Sequence, residues 1–354
     1  MKKNIYELTH RGKPTRILLC AIFCLLFFSC WNGLEEMHQR WRNKVYYPGE
    51  KVNYTVGDVS FQMAFVPGGK TFPTGETNNG AAMVPNAYWM GETEVTYELW
   101  YKVYSWATTD AGGGKRADGG VLYVFTFDTN RDPRAGDDGV PGSDTGSQEP
   151  VTYVNWRHAM IWCNALTEYY NITNGDEPDL DPVYYTDAGY STLIRSANYA
   201  AINTTPGGQD NPYVKETAKG FRLVTINEWE LAARWRNDSI NTVDGYADPW
   251  FTRGDSASGA EASTSDLTAT KKVAWCDQSH TKVVKDIMSN SLGLYDMSGN
   301  VWELCFDWYT QGSTRVGRAG CYFGVLNLEI GKILSQNPTL GSGVMGFRLA
   351  RSAP

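Results

Sequence analysis

Apolar and polar residues mix over Phe61-Gln62-Met63-Ala64-Phe65-Val66, and Pro67-Gly68-Gly69 follows at once. An aromatic and β-branched run closed by turn residues predicts a strand and a chain reversal. Three later stretches change to the helical period. Thr96 is placed to cap a helix from Tyr97 to Trp106, with Leu99 and Val103 on one face. Asn155 is placed to cap a second, whose apolar side is Ala159, Trp162, Cys163 and Leu166. The third is the best defined. Thr225-Ile226-Asn227-Glu228 fits a capping box, and Trp229, Ala232 and Ala233 supply the buried side. Between these helices lie Gly-, Asp- and Asn-rich stretches at 107–149, 171–219 and 236–270. Loops of that length in a compact domain are functional or disordered unless they pack. Here they also carry Tyr, Trp and Phe, which predicts packed irregular structure. No repeat period stands out, and the pattern predicts an α+β domain with few regular elements.

The first 30 residues follow a different pattern. Lys2, Lys3, Arg11, Lys13 and Arg16 precede the apolar run Ile17 to Phe28, which meets Ser29-Cys30. A basic region, a short apolar core and a small residue before the cut describe a secretory signal. The run is shorter than the roughly 20 residues that cross a bilayer. Leu26-Phe27-Phe28-Ser29-Cys30 resembles a relaxed bacterial lipobox, which implies that the Cys30 thiol is diacylated. Several acyl chains together anchor a protein firmly. The expected organisation is a lipoprotein signal peptide at 1–30, a polar tether at 31–55 and a domain at 56–354. The expected location is the outer membrane or cell surface.

Composition narrows the chemistry. The net charge of −7 excludes a nucleic-acid binder, which needs a basic stripe for phosphates. The 30-residue leader contains five of the 32 basic residues and one of the 39 acidic ones, so the remainder is more acidic still. One of the four histidines lies in that leader, and His38, His158 and His280 are far apart in sequence. A multi-histidine metal centre has nothing to be built from. Beyond the leader the cysteines reduce to Cys163, Cys276, Cys305 and Cys321, with no C-x-x-C pair and no spacing that suggests a disulfide framework.

Six segments in order carry a resemblance. They are Phe65-Val66-Pro67-Gly68-Gly69 with Gly75, then Glu94-Val95-Thr96, then Pro150 to Trp156. The others are Gly220 to Arg234, Gly293-Leu294-Tyr295-Asp296-Met297-Ser298-Gly299-Asn300-Val301-Trp302-Glu303, and Gly346-Phe347-Arg348-Leu349-Ala350-Arg351. Together they resemble the formylglycine-generating-enzyme family, also called the sulfatase-modifying-factor family. The resemblance implies a C-type-lectin-like fold with a small twisted antiparallel sheet, two or three helices and abundant ordered loop. Read physically, the segments are scaffold. Trp156, Trp229 and Trp302 are core aromatics, Glu228 and Glu230 serve capping and pairing, and Arg222 and Arg348 anchor buried carboxylates or carbonyls. The resemblance also implies a structural calcium held by Asp296, Gly299, Val301 and Glu303, through two side-chain oxygens and two carbonyls. The aspartate of a second family calcium site falls on Lys285, which speaks against that site.

The family's catalysts hold copper with two cysteine thiolates that follow an Arg-Gly-Gly-Ser stretch. The matching stretch is Arg318-Ala319-Gly320-Cys321, and the thiolate positions fall on Gly324 and Glu329. No catalytic residue and no copper are therefore expected, and a divergent thiol-modifying oxidase is the alternative. A purely structural envelope protein is a third possibility.

Residues 315–351 read as framework and filler. Arg315, Val316, Arg318, Gly320, Tyr322, Glu329, Gly331, Pro338 and Gly346-Phe347-Arg348 form the framework. The filler is Cys321, Phe323, Gly324, Val325, Asn327, Leu328, Ile333, Leu334, Ser335, Asn337, Thr339, Leu340, Ser342 and Gly343. These side chains are mostly small or apolar and follow neither period, as a core or an exposed binding patch does. The arrangement resembles the variable proteins of diversity-generating retroelements. Adenine-directed mutagenesis of Asn codons never produces Lys, Glu, Gln, Met or Trp, and the filler contains none of them. The resemblance implies a non-catalytic surface protein, expected to be a monomer, that binds a protein or glycan ligand through this hypervariable patch. Phe323, Leu328, Ile333, Leu334 and Leu340 are expected to dominate its energy.

Overall fold

The computed structural model describes residues 44–109, 124–128, 132–142, 148–175 and 179–354. The leader, Cys30 and residues 31–43 of the expected tether lie outside the described residues. The chain divides into Met1–Tyr46 and Tyr47–Pro354. In the first unit, the Lys44 ammonium sits 4.5 Å over the Tyr46 ring. Everything below concerns the second.

Its N-terminal strands are β1 (Lys51–Val56), β2 (Val59–Val66), β3 (Lys70–Thr74), β4 (Gly80–Val84) and β5 (Tyr88–Gly91). Helices α1 (Tyr97–Thr108) and α2 (Trp156–Thr173) follow, then strand β6 (Arg222–Leu223), α3 (Ile226–Arg234) and the single turn α4 (Leu267–Thr270). Strands β7 (Trp302–Thr310), β8 (Thr314–Arg318), β9 (Leu334–Gln336), β10 (Met345–Phe347) and β11 (Leu349–Ser352) complete the chain. The five-stranded sheet runs β1-β2-β5-β11-β6 and the four-stranded one β9-β8-β7-β10, while β3 and β4 form a separate hairpin. Within the two larger sheets all neighbours are antiparallel except β7 and β10, which pair in parallel. This is the α+β, loop-rich architecture the residue pattern implies.

The tether boundary is corrected. Residues 51–55 are part of β1, because Tyr54 is buried, stacked on Phe61 and edge-on to Phe221. An aromatic that covers so much apolar area draws its strand into the domain.

The helices form where their caps stand. The Thr96 hydroxyl accepts from Leu99 N, and the Asn155 side chain accepts from His158 N. Both halves of the Thr225–Glu228 capping box are made. Helix α2 is buried on all sides from Trp156 to Thr167, so it is a core helix rather than an amphipathic one. Trp162 stacks on Trp100 at 5.4 Å and donates its indole N–H to the Trp100 carbonyl.

Long loops are ordered by buried cations. Arg157 pairs with Asp210 at 2.6 Å and donates to the carbonyls of Asn198 and Ala200. A loop without ladder partners needs such donors, because buried carbonyls must be satisfied.

Candidate functional site

Hairpin β7–β8 delivers the chain to Ala319 and Gly320, both left-handed at φ 84° and 74°. A Cβ on Gly320 would meet the Asn327 carbonyl oxygen at 2.6 Å, so only glycine fits this return of the loop on itself. The loop is pinned by its backbone. Tyr322 N–H donates to Asn300 O, Gln278 N–H to Tyr322 O, and Asp277 N–H to Gly324 O at 2.7 Å. Its side chains alternate with a period of three. Tyr322 is buried and donates its hydroxyl to Asp137 Oδ2 at 2.9 Å. Val325 and Leu328 pack on Ala257, Ala260, Val273, Ala274 and Cys276. Between these anchors Phe323 is 75% exposed and Leu326 is 76% exposed.

One filler assignment is corrected. Leu328 is 0% exposed and part of a core cluster, so it holds the loop down rather than facing a ligand. Gly343 is half-buried, and a Cβ there would stand 3.0 Å from the Tyr153 hydroxyl and 3.1 Å from Asp137 Cβ, so a side chain at this position needs its neighbours to give slightly. Leu326, outside the expected filler, is the most exposed apolar residue of the loop; its place three residues after Phe323 was the available signal.

The rest of the stretch is distributed over two supports. Ile333, Leu334 and Ser335 run into the edge strand β9, with Ile333 and Ser335 exposed. Asn337 folds its side chain onto the Thr339 N–H, and Leu340 projects beyond at the surface. Ser342 accepts from Tyr153 N–H. Cys321, Gly324, Val325, Asn327, Leu334, Thr339, Ser342 and Gly343 are half-buried. Asp137 draws the two parts together, since Tyr322 bonds to it and Gly343 packs on it. The framework is buried except for Glu329, which is half-buried. The Arg315 guanidinium lies between Trp156 and Trp308, 3.6 and 3.5 Å from their ring centres. Arg318 binds Glu230 at 2.6 Å and the Ile330 carbonyl at 3.0 Å.

Among the described residues, no thiol is set up as a nucleophile. Burial pushes Cys163, Cys276, Cys305 and Cys321 upward, the opposite of an activated thiolate. Gly324 opens onto free space, and Glu329 accepts from the Thr264 hydroxyl at 3.0 Å.

The expected calcium residues surround a different cation. Glu303 is buried, and its two oxygens accept from Arg348 Nε at 3.1 and 3.0 Å, Arg348 Nη2 at 2.7 Å and Trp229 Nε1 at 2.7 Å. Its charge is already met by a guanidinium, which a calcium ion at Glu303 would have to share. Asp296 accepts from Lys285 N–H, and burial raises its carboxyl to about 6. Glu94 is pushed well up by burial and by Asp296, and its Oε1 has no partner. Gly299, at φ 86°, turns under the Trp275 carbonyl, where a Cβ would stand at 2.3 Å. Glu94 Oε1 is thus a buried acceptor without a partner, on a carboxyl whose titration Asp296 perturbs. No cluster of three or more His, Cys, Asp or Glu suited to a metal occurs among the described residues. The Lys285 ammonium pairs with Glu92 at 2.9 Å.

A family model described as the sulfatase-modifying factor enzyme 1-like domain matches residues 56–353, and the chain belongs to this family. Among solved structures it is similar to Treponema denticola variable protein 1, at 26% identity and a TM-score of 0.60, over 86% of this chain and 99% of that one. It shares the fold of CarF, at 24% identity and a TM-score of 0.55 over 83% and 99%. A curated relative is a chaperone protein LppX of Paenibacillus barcinonensis, 29% identical over 53% of this chain and 64% of its own length. Another is a formylglycine-generating enzyme of Streptomyces coelicolor, 29% identical over 38% and 48%. The chain therefore spans less than two thirds of the length of these curated relatives. Among the described residues, no helix is long and apolar enough to cross a membrane.

Proposed function

We propose that the chain is a non-catalytic, surface-displayed binding protein whose C-terminal stretch is a retroelement-diversified patch for a protein or glycan ligand. The observation that carries this reading is the loop after Gly320. It presents Phe323 and Leu326 to solvent while Tyr322, Val325 and Leu328 fasten it from beneath. Exposed apolar groups on a rigid support lose little entropy on binding, so they suit an affinity hot spot. Likeness to a variable protein supports the same reading.

Comparing the gene between isolates tests it. Substitutions should gather at Phe323, Ser335, Asn337 and Leu340 and spare Tyr322, Leu328 and Gly343. An even spread would count against diversification. Incubation with copper and a cysteine-bearing sulfatase peptide should give no aldehyde, and aldehyde would make the protein an oxidase instead.

Export as a lipoprotein through Cys30 belongs to this reading, and Cys30→Ala should abolish palmitate labelling; labelling that persists refutes the anchor. A bound calcium would be held by Asp296, the carbonyls of Gly299 and Val301, and the orphaned oxygen of Glu94, and would offset buried negative charge. Calcium should raise Tm in the parent and leave Asp296→Ala unmoved. Equal shifts in both would reject the site.

A further inference from the structure

We propose that a second binding site, distinct from the C-terminal patch, takes a neutral oligosaccharide in the cleft between the end of α2 and the segment 179–209. The cleft encloses about 1710 Å³. Small-molecule sites hold roughly 300–1,000 Å³, so the occupant is extended.

Its lining alternates the rings of Tyr185 and Tyr190 with the hydroxyl and amide side chains of Thr192, Ser196, Asn198 and Gln209. A pyranose presents an apolar C–H face beside a rim of hydroxyls, and this mixture of rings and neutral hydrogen-bonding groups matches both. Gln209 is already oriented. Its Oε1 accepts from Asn198 N–H at 2.7 Å, and Nε2 donates to Asn198 O at 3.2 Å, which leaves the second amide N–H uncommitted.

Tyr190 is held out on purpose-built backbone. It is 41% exposed at φ 54°, a left-handed position that bulky residues rarely occupy. The Asp187 carboxylate closes the loop around it by accepting from the N–H groups of Gly189, Ser191 and Thr192 at 3.0, 3.2 and 2.7 Å. The ring meets Tyr185 edge to face at 5.5 Å. Such a conformation persists only where the surroundings enforce it, and here the result is an aromatic at the rim of a polar cleft.

Charge decides the ligand class. Arg195 in the lining is paired with Glu168, and Asp181 is paired with Lys215 at 2.8 Å, while Asp179 adds a further negative charge. Among the described residues of the lining a polyanion finds no spare cation, and a purely apolar ligand leaves the amides unmet.

Titration calorimetry of the protein with maltohexaose, cellohexaose, chitohexaose and a heparin hexasaccharide tests the site. At least one neutral hexasaccharide should bind. Its affinity should fall about tenfold in Tyr190→Ala, as loss of one ring contact implies, and hold in Tyr190→Phe. Phe323→Ser should leave it unchanged, which separates this site from the C-terminal patch. Failure of all three neutral sugars to bind overturns the proposal, as does preference for heparin or undiminished binding by Tyr190→Ala.

Discussion

Burial of a titratable ring leaves a signature in pH. His158 sits inside α2, its Nε2 3.1 Å from the Asp128 carbonyl, with Arg157 beside it. Burial lowers it from 6.5 to about 4. Between those values the unfolded chain binds a proton that the folded chain refuses, so stability is full above the unfolded value and falls as pH drops toward 4. The shift corresponds to about 3 kcal/mol at most. Asp296, raised by burial, acts with the opposite sign over the neighbouring acidic range. The contribution of His158 is therefore read as a difference. Urea unfolding at pH 7 and pH 4.5 should show a smaller acid loss in His158→Gln than in the parent, and an equal loss would mean that His158 titrates normally in the fold. The isolation of His158 in sequence was legible, since three scattered histidines promise no metal centre. Its burial was not, because the core face of α2 extends round the whole helix. The Arg348–Glu303 pair was legible only as an anchor for some carboxylate; the identity of that carboxylate depends on β7 and β10 lying side by side.

At the scale of elements, the loop from Gly320 to Leu328 divides its residues by direction. Phe323→Ser and Leu326→Ser remove side chains that touch mainly solvent, so each should change unfolding free energy by under about 0.5 kcal/mol. Leu328→Ser places a hydroxyl in the cluster of Ala257, Ala260, Val273, Ala274 and Cys276 and opens a cavity, and should cost about 2–5 kcal/mol. Guanidinium titration of the three variants reads this contrast; comparable losses in all three would show that the loop is core throughout. The helices were legible because their caps and apolar faces are local. The inward and outward faces of this loop were not, because its period of three comes from segments 256–278 and 298–300, remote in sequence, which supply its floor and backbone partners. The same cause moved the domain boundary, since Tyr54 is covered by Tyr170 and Phe221, remote in sequence, as well as by Phe61.

The whole molecule explains why such a loop can change while the fold persists. Its supports belong to the two sheets, not to the loop. Strand β8 enters the patch from the interior of one sheet, and β11 follows it between β5 and β6 in the other. Arg315 between two tryptophans and Arg318 on Glu230 fix the entry, and Arg348 on Glu303 fixes the exit. A buried guanidinium deprived of its carboxylate costs about 3–5 kcal/mol, so these positions resist substitution far more than the exposed residues between them. Aromatic stacks and buried arginines take the role that long ladders play elsewhere, and they let a chain with few regular elements keep its long loops ordered. The same economy leaves side chains at the surface in two separate places, the knob of Phe323 and Leu326 and the cleft beneath Tyr190. Asp137, Tyr153 and Gly343 are packed together beneath this stretch, so substitution of a side chain that points outward should leave the backbone that presents it in place.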